Sequence, residues 1–526
     1  MPKKIATKSK VDYRLLHKRK ITDYLDSLKD KKHTVGQMDE FMKKLFRMGD
    51  QVVPICLSKL KQNDEKLAPV ICYALEFADD SSLVEPLLNI LLMPDVSDKV
   101  KARILTVLYH YGIDAGDLPL DIIMNDFDKV ASESLEEMLN DIDEDFFLIP
   151  YILDDLEEFT NEMKIAYIKD IGDRRDERAI PLLEIIASIK DLRIAEESVR
   201  ALGRIKSGKA LFALNKLNHI VADDSVKKVI ERESQRLKFS GITMEICLPP
   251  VKLKKPVKII ISSIDGHGSR ALWIAWKNPL IRRKLTSMNL LLNAGFGIKD
   301  CWGSSRISAR EFNSSVKGLS KTTVIAECDI NYATTLMRDA LYWNEKNKTE
   351  IPYQFYFWKH ILEQTYNLKP EPYKPSFSEY DMDEIATSEE YLKKTFELFD
   401  LSIFNDWFIA VPRVYDYADE NRTKKGYNLK RLSGKRAEKL FSTFSTELIE
   451  PNINSLKRML ELSADFLKRA GQHELAKTVL YAHINIDSKP LYDNPFIQRI
   501  IIESIRVALN NMKNGFDMRV NPDAFD

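Results

Sequence analysis

Three residue types that support nucleophilic catalysis occur in the middle of the chain, at His267, Cys301 and Asp329. A cysteine nucleophile needs a base that removes its proton and an acidic group that orients the base, and the fold must bring all three together. A lone cysteine beside a tryptophan, as in Cys301-Trp302, is more often packed than reactive. We keep the three residues as candidates for a hydrolase or a ligand-binding site, while the sequence as a whole favours a protein that is not an enzyme.

Two motifs near these candidates copy the spacing of phosphate-binding loops, but their context differs. Gly266, Gly268 and the following Ala271 have the spacing of a dinucleotide site, in which a helix N-terminus faces the phosphates. A β-rich run follows instead of a helix, and no Asp or Glu occurs between 266 and 299. Residues 315–322 have P-loop spacing, but serine replaces both glycines. We interpret the first motif as a hairpin turn, reject the second, and expect no cofactor.

The elements that must position these candidates form a predicted α+β domain over residues 245–370. A proline-rich stretch at 249–256 precedes it and is predicted to be an extended linker. The region is rich in aromatic residues, most of which should fill its core, and any that stay exposed would mark a contact surface. From residue pattern, strands are expected at 257–264, 271–276, 288–298 and 322–330, and helices at 308–316 and 331–346.

A repeat dominates the first half of the chain. Five prolines head apolar runs at intervals of 32, 33, 31 and 31 residues, and a sixth run without proline begins at Ala210. A fixed period of this length indicates stacked supersecondary units. Within 178–205, Val199, Leu202 and Ile205 recur at helical spacing, so each unit is predicted to be a helical hairpin. The prolines are Pro54, Pro86, Pro119, Pro150 and Pro181.

This pattern resembles HEAT repeats, particularly the short bacterial type that is also found in phycobilin lyases. The resemblance is strongest in RDERAIPLLEIIASIKDLRIAEESVRALGRIKSGKALFALNKL, residues 175–217, and covers roughly 40–240. It implies an α-solenoid with a concave binding face, in which each repeat buries its apolar side on its neighbours. Lyase activity is not implied, because such repeats occur in many proteins without it. A plain helical bundle is the alternative.

Charge is unevenly distributed along the repeats. Residues 114–158 contain 16 acidic and one basic residue, whereas 199–258 contain 14 basic and five acidic residues. These blocks could steer partners of opposite charge, attract each other, or form a solvated surface. The acidic residues that we predict to contact a partner are Asp143, Glu144, Asp145, Asp154, Asp155, Glu157 and Glu158, and the basic ones are Arg200, Arg204 and Lys206.

Two further basic segments suggest an alternative partner. The first twenty residues hold eight Lys or Arg and one Asp, and 422–439 hold eight Lys or Arg and one Glu. We predict a basic N-terminal extension with a short helix at 1–39. Segments 3–20 and 422–439 could bind nucleic acid, in which case affinity would fall steeply with salt. Solvated, unbound segments are the other interpretation of both.

The C-terminal part is predicted to be a helical module over 387–526, after a linker or extended arm at 366–386. A long helix is expected to end at Gly471, since glycine favours the position after a helix C-terminus. A second helix follows in a tight hairpin. Asn494 and Pro495 are typical of the start of a final helix, with an N-cap followed by proline at the first position.

Composition sets the broad class. The chain has 526 residues and a formal net charge of zero, with five scattered cysteines and no CxxC motif. This predicts a multidomain, mainly α protein in the reducing cytoplasm, with no metal site and no membrane-spanning segment. The expected function is that of a non-catalytic scaffold or adaptor that binds a protein partner through the solenoid. The sequence leaves the oligomeric state open.

Overall fold

The chain divides into two compact units, Met1–Glu144 and Asp145–Asp526, and the described elements of the first unit are helices. The structure is a computed structural model that describes residues 13–29, 35–247, 251–423, 426–488 and 490–520. In the first unit, α4 packs on α3 and α6, and α5 packs on the same two helices. Its described helices are α1 (Tyr13–Asp26), α2 (Val35–Phe46), α3 (Val52–Lys61), α4 (Ala68–Ala78), α5 (Val84–Leu91), α6 (Asp98–His110), α7 (Leu120–Ile123) and α8 (Phe127–Glu144).

Six helices open the second unit, and the unit boundary falls inside the range 40–240. Helix α12 packs on α10 and α11 on one side and on α13 and α14 on the other. Side-chain N-caps at Thr160, Asp191, Ser207 and Asp223 satisfy free N–H groups where α10, α12, α13 and α14 begin. The helices are α9 (Ile149–Glu158), α10 (Asn161–Asp173), α11 (Ile180–Ile186), α12 (Leu192–Ile205), α13 (Gly208–Ile220) and α14 (Asp224–Phe239).

The recurring prolines lie at the start of every second helix. Pro54 and Pro86 are the third residues of α3 and α5, Pro119 is the N-cap of α7, and Pro150 and Pro181 are the second residues of α9 and α11. The first helical turn tolerates proline because its N–H groups have no intrahelical acceptor. The proline period therefore marks alternate helices, as the sequence predicts.

A five-stranded antiparallel sheet with the order β4-β3-β2-β1-β5 forms in the middle region. One face, through Ile260 and Ala275, packs against Phe312 and Val316 of α15. On the other face, Trp276 stacks on Trp358 of α17 at a ring-centroid distance of 5.9 Å. The elements are β1 (Lys258–Ser262), β2 (Ser269–Lys277), β3 (Lys284–Asn293), β4 (Gly297–Ser308), α15 (Ala309–Leu319), β5 (Ile325–Glu327), α16 (Ile330–Asn347) and α17 (Tyr353–Leu362).

The predicted hairpin around Gly266 is confirmed, since β1 and β2 pair with Ile259 opposite Ile274. The helices predicted at 308–316 and 331–346 are present as α15 and α16, and the strand predicted at 322–330 as β5. The single strand predicted at 288–298 is wrong. A turn at 294–296 divides that stretch, and Gly297, at φ +97°, begins a second strand that pairs back on the first. Residues 251–257 contain no helix or strand, while 248–250 lie outside the described residues.

Helices complete the second unit. The long helix predicted to end at Gly471 is α22, and Gly471 has φ +75°. Asn494 caps α24 through its side chain, with Pro495 as the first helical residue, as predicted. The elements are α18 (Met382–Thr387), α19 (Glu389–Glu397), α20 (Pro412–Asn421), α21 (Gly434–Phe444), α22 (Ile453–Arg469), α23 (His473–Ser488) and α24 (Pro495–Lys513). The chain is thus mainly helical, with a small antiparallel sheet in the middle region.

Candidate functional site

Two of the three basic residues predicted to contact a partner are ion-paired with residues of α10 and α12. The Arg200 guanidinium lies 2.7 Å from Glu196 and 3.3 Å from Glu197. Arg204 reaches Glu197 at 2.8 Å and Asp173, the last residue of α10, at 3.4 Å. These ion pairs largely neutralise the charges of both arginines. Lys206, which follows the end of α12, is exposed.

The predicted acidic residues separate into buried and exposed groups. The Asp145 carboxylate is 2% exposed and accepts hydrogen bonds from Nε and Nη2 of Arg306 on β4, at 3.0 and 2.7 Å. Its burial removes Asp145 from any contact surface. Glu157 is half-buried and accepts the backbone N–H of Tyr353, where α17 begins, at 2.9 Å. The exposed acids are Asp154, Asp155 and Glu158 on α9, and Asp143 and Glu144 at the end of α8 in the first unit.

Close approach at two glycines brings together the second halves of α10, α12 and α14. A Cβ on Gly172, near the end of α10, would lie 2.6 Å from Cβ of Ala201, near the end of α12. A Cβ on Gly203 would lie 2.4 Å from Oε2 of Glu233, in the second half of α14. The two glycines are 31 positions apart in the sequence. The C-terminal halves of the three helices therefore lie next to one another.

The loops that follow these helices form a continuous strip, which we call the loop edge: residues 174–178, 206–209 and 238–247. Nζ of Lys209 lies 2.9 Å from Oε2 of Glu177, which joins the first loop to the second. The backbone N–H of Glu245 donates to O of Gly208 at 3.1 Å, which joins the second to the third. A Cβ on Gly208 would lie 2.6 Å from O of Thr243, so glycine permits this contact.

The loop edge presents unpaired cations beside exposed apolar side chains. Arg175, Lys206 and Lys238 are exposed, and no described carboxylate lies within ion-pair distance of them. Phe239 is 90% exposed and Ile246 74%. The sequence analysis selected only Lys206 from this strip. The repeat period could have found the others, since residues 175, 206 and 238 are 31 and 32 positions apart.

The three catalytic candidates have different surroundings. Cys301 lies on β4 opposite Leu290 and is 2% exposed, and burial raises the pKa of its thiol well above the usual value. Asp329 is the N-cap of α16 and accepts the N–H of Tyr332. His267 is exposed in the β1–β2 turn. No described contact joins the three side chains, and a buried, protonated thiol is a poor nucleophile.

Instead, the β1–β2 turn closes one end of a polar cleft of about 260 Å³. A Cβ on Gly266 would lie 2.0 Å from O of Asp406, so this glycine lets the turn approach residues 402–406. Burial raises the pKa of the Asp406 carboxyl, and the neighbouring negative charge of Asp265 adds to the effect. Six of the fifteen residues that line the cleft carry hydroxyl groups: Ser262, Ser263, Ser269, Thr322, Thr323 and Ser402.

No protein-family model matches the chain, and no curated protein matches it. Among solved structures, it is similar to the crystal structure of an engineered protein, with 15% identity over 45% of this chain and 96% of that one. The TM-score is 0.16, so this similarity supports no inference. Within the described residues, no group of three or more His, Cys, Asp or Glu could hold a metal ion. No helix in the described part of the chain is long and apolar enough to cross a membrane.

Proposed function

We propose that the chain is a non-catalytic, cytoplasmic scaffold that binds a protein partner through a HEAT-like α-solenoid over residues 40–240. The observation that carries the proposal is the packing of α12 on both α10 and α14, with close contacts at two glycines 31 residues apart. Proline-headed helices alternate with this second set, which supports an arrangement of stacked helical hairpins. Stacked repeats expose long continuous surfaces, which suit the binding of another protein.

Charge on the second unit's repeat helices supports two candidate surfaces. One is the acidic face of α9, formed by Asp154, Asp155 and Glu158, and the other is the loop edge. Both consist of exposed side chains whose substitution leaves the buried helix contacts intact. Association with a charged partner would be fast and sensitive to salt, because exposed charges steer encounter over about a Debye length.

Partner capture with matched variants of the full chain tests the scaffold function. One variant carries Asp154→Asn, Asp155→Asn and Glu158→Gln, and a second carries Arg175→Glu, Lys206→Glu and Lys238→Glu. A control removes three exposed acids outside the repeats, by Glu345→Gln, Glu389→Gln and Glu397→Gln. We expect at least one co-purifying protein whose recovery, by quantitative mass spectrometry, falls about tenfold in one repeat variant and not in the control. Recovery that no repeat variant alters would refute the proposal.

Nucleic-acid association through segments 3–20 and 422–439 is the second candidate function. Residues 3–12, 424 and 425 lie outside the described residues. Arg431, Lys435 and Lys439 are exposed, with no described carboxylate within ion-pair distance, which favours this candidate. Binding of a labelled single-stranded oligonucleotide at 50 and 200 mM salt checks it, because each neutralised phosphate releases counterions. An affinity that does not change with salt would exclude it.

Ligand binding or hydrolysis in the middle region is the third candidate, and the polar cleft is the observation that favours it. Asp265 and Asp406 approach each other there among hydroxyl groups that can donate to a polar ligand. Thermal-shift screening of the full chain against polar metabolites, with Asp406→Asn as the control, tests the idea. A ligand that stabilises both forms equally does not bind in this cleft.

A further inference from the structure

We infer that the loop edge is the site for an extended, acidic peptide segment with apolar side chains, supplied by the partner. This inference rests on the scaffold function proposed above and adds the chemistry of the partner. Two features of the loop edge carry it: cations that have no described ion-pair partner, and exposed apolar side chains beside them.

Some basic residues of this region form ion pairs within the fold, and others have no described carboxylate partner. Arg204 pairs with Glu197 and Asp173, and Arg236 lies 2.8 Å from Glu233 of the same helix. Arg175, Lys206 and Lys238 lie just beyond or at the ends of α10, α12 and α14, and no described carboxylate pairs with them. Packed helices have axes about 8–10 Å apart. The three cations therefore form a row with steps of roughly that length.

This step matches an extended peptide. A β-like chain rises about 3.3 Å per residue, so about three residues span each step between helices. Carboxylates at every third position, such as i, i+3 and i+6, would each meet one cation of the row. Lysine and arginine reach several ångströms from the backbone, so the match tolerates small departures from this spacing.

Two of the cations occupy positions where glycine is the preferred residue. Arg175 has φ +57° and Lys206 has φ +53°, in the left-handed region that side chains disfavour. After α6 and α14, the corresponding left-handed residues are Gly112 and Gly241, with φ +82° and +80°. A cation in this conformation costs stability that glycine would not. A positive charge at these positions faces the negative end of the helix dipole and, without a described ion-pair partner, is available to a ligand.

Exposed apolar side chains on the loop edge favour a peptide over nucleic acid as its ligand. Phe239, Met244 and Ile246 are 90%, 50% and 74% exposed next to the cations, and contiguous apolar surface of this kind marks a site of protein interaction. Glu177 and Glu245 also lie exposed on the loop edge, so its charge is mixed. Interfaces for nucleic acid are far more uniformly positive. The mixture fits carboxylates alternating with apolar side chains.

Selection from a random peptide library tests the inference directly. The full chain is immobilised, and 12-residue display peptides are selected at 50 mM NaCl. We expect enriched sequences to carry Asp or Glu at three-residue spacing together with Leu, Ile or Phe. The affinity of the best synthetic peptide, by fluorescence anisotropy, should fall at least tenfold with Arg175→Glu/Lys206→Glu/Lys238→Glu and at least fivefold with Phe239→Ser/Ile246→Ser.

Three controls keep the outcomes distinct. Lys299→Glu/Lys317→Glu/Lys513→Glu changes the same charge at exposed residues elsewhere and should leave peptide affinity within twofold. Circular dichroism shows whether each variant is folded. Enriched peptides that are neutral or basic, or that bind the loop-edge variant unchanged, would overturn the inference, as would an oligonucleotide that competes for the same residues. Partner capture that depends only on the acidic face of α9 would also overturn it, yet leave the scaffold function standing.

Discussion

The loop edge and the interface between α16 and α22 treat charge in opposite ways. On the loop edge, the ion pair of Lys209 with Glu177 is partly solvent-exposed, and Arg175, Lys206 and Lys238 have no described carboxylate within ion-pair distance. Between α16 and α22, Arg458 holds Asp339 with Nη2 2.9 Å from each carboxylate oxygen, and the two side chains are only 13% and 8% exposed. Asp465 nearby accepts hydrogen bonds from Tyr332 and Tyr373.

This difference decides which charges can be changed without unfolding the protein. An exposed charge remains hydrated, so its ion pair contributes little to stability and its loss costs little. A buried charge has lost its hydration, and removal of its partner leaves that loss uncompensated. Charges on the loop edge can therefore be changed at little cost in stability, whereas those buried between α16 and α22 cannot.

Asp339→Ala should have the largest effect on stability. The substitution leaves the backbone N–H of Tyr373 without its buried acceptor and leaves Glu461 as the remaining partner of the Arg458 guanidinium, at a cost of about 3 kcal/mol. Urea unfolding followed by tryptophan fluorescence measures it, because all six tryptophans lie in the second unit. Asp487→Ala is the control, since its pair with Lys457 is solvent-exposed and should contribute less than about 1 kcal/mol. Equal effects would contradict the contrast drawn here.

Gly172→Ala should destabilise the packing of the repeat helices by about 2 kcal/mol. The new methyl group would lie 2.7 Å from the Cα of Ala201, and backbone cannot yield as a flexible side chain does. Gly318→Ala is the matched control in α15, where nothing lies within 4 Å of the added Cβ. The control should gain up to about 1 kcal/mol from helix propensity. If Gly172→Ala also gains stability, α10 and α12 do not approach this closely.

Much of the local structure could be predicted from the sequence, because it depends on neighbouring residues. Pro150 and Pro181 mark helix starts, Gly471 marks a helix end, and Asn494 caps α24, all through short-range geometry. The strand predicted at 288–298 is wrong because the local pattern does not show where the chain reverses. Its apolar run continues into a Gly-Phe-Gly turn, and only the pairing of β3 with β4 shows that the chain reverses there.

The candidate site was harder to predict, because charge alone does not say whether a side chain is buried or paired. Asp145 and Asp154 belong to one acidic run, yet the first is buried against Arg306 and the second is exposed. Arg204 and Lys206 are two residues apart, yet only the first is ion-paired in the described structure. These outcomes depend on contacts between residues distant in the sequence, which composition cannot reveal.

His360 on α17 tests how burial affects a titratable group elsewhere in the second unit, through the dependence of stability on pH. Burial, with a smaller effect from Lys216, lowers the pKa of His360 to about 3, and Nζ of Lys216 lies 3.5 Å from its Nε2. Glu184, Lys359 and Glu363 are the other charged groups nearby. The unfolded chain takes up a proton near pH 6.5, whereas the folded chain does not until about pH 3. Stability is therefore lost as pH falls below about 6.5.

Between pH 7.5 and pH 5.5, this one proton should cost the native protein about 1.4 kcal/mol. His360→Gln stays neutral at both values and should lose that much less stability over the same interval. Urea unfolding of both proteins at the two pH values isolates the difference, since all other titrating groups are shared. A parallel loss in the two proteins would mean that His360 is hydrated and titrates normally.

Arg175→Gly and Lys206→Gly should have the smallest effect, and an opposite sign. Both residues have left-handed backbone, which glycine adopts without the clash of a Cβ, so each substitution should stabilise the fold by about 0.5–1 kcal/mol. The greater flexibility of glycine in the unfolded chain reduces this gain but should not cancel it. Thermal unfolding measures the change, with Lys299→Gly in β4 as a destabilised control. Stabilisation that coincides with weaker peptide binding would show that the loop edge gives up stability for its charge, whereas a loss of stability would mean that these cations are held by the fold itself.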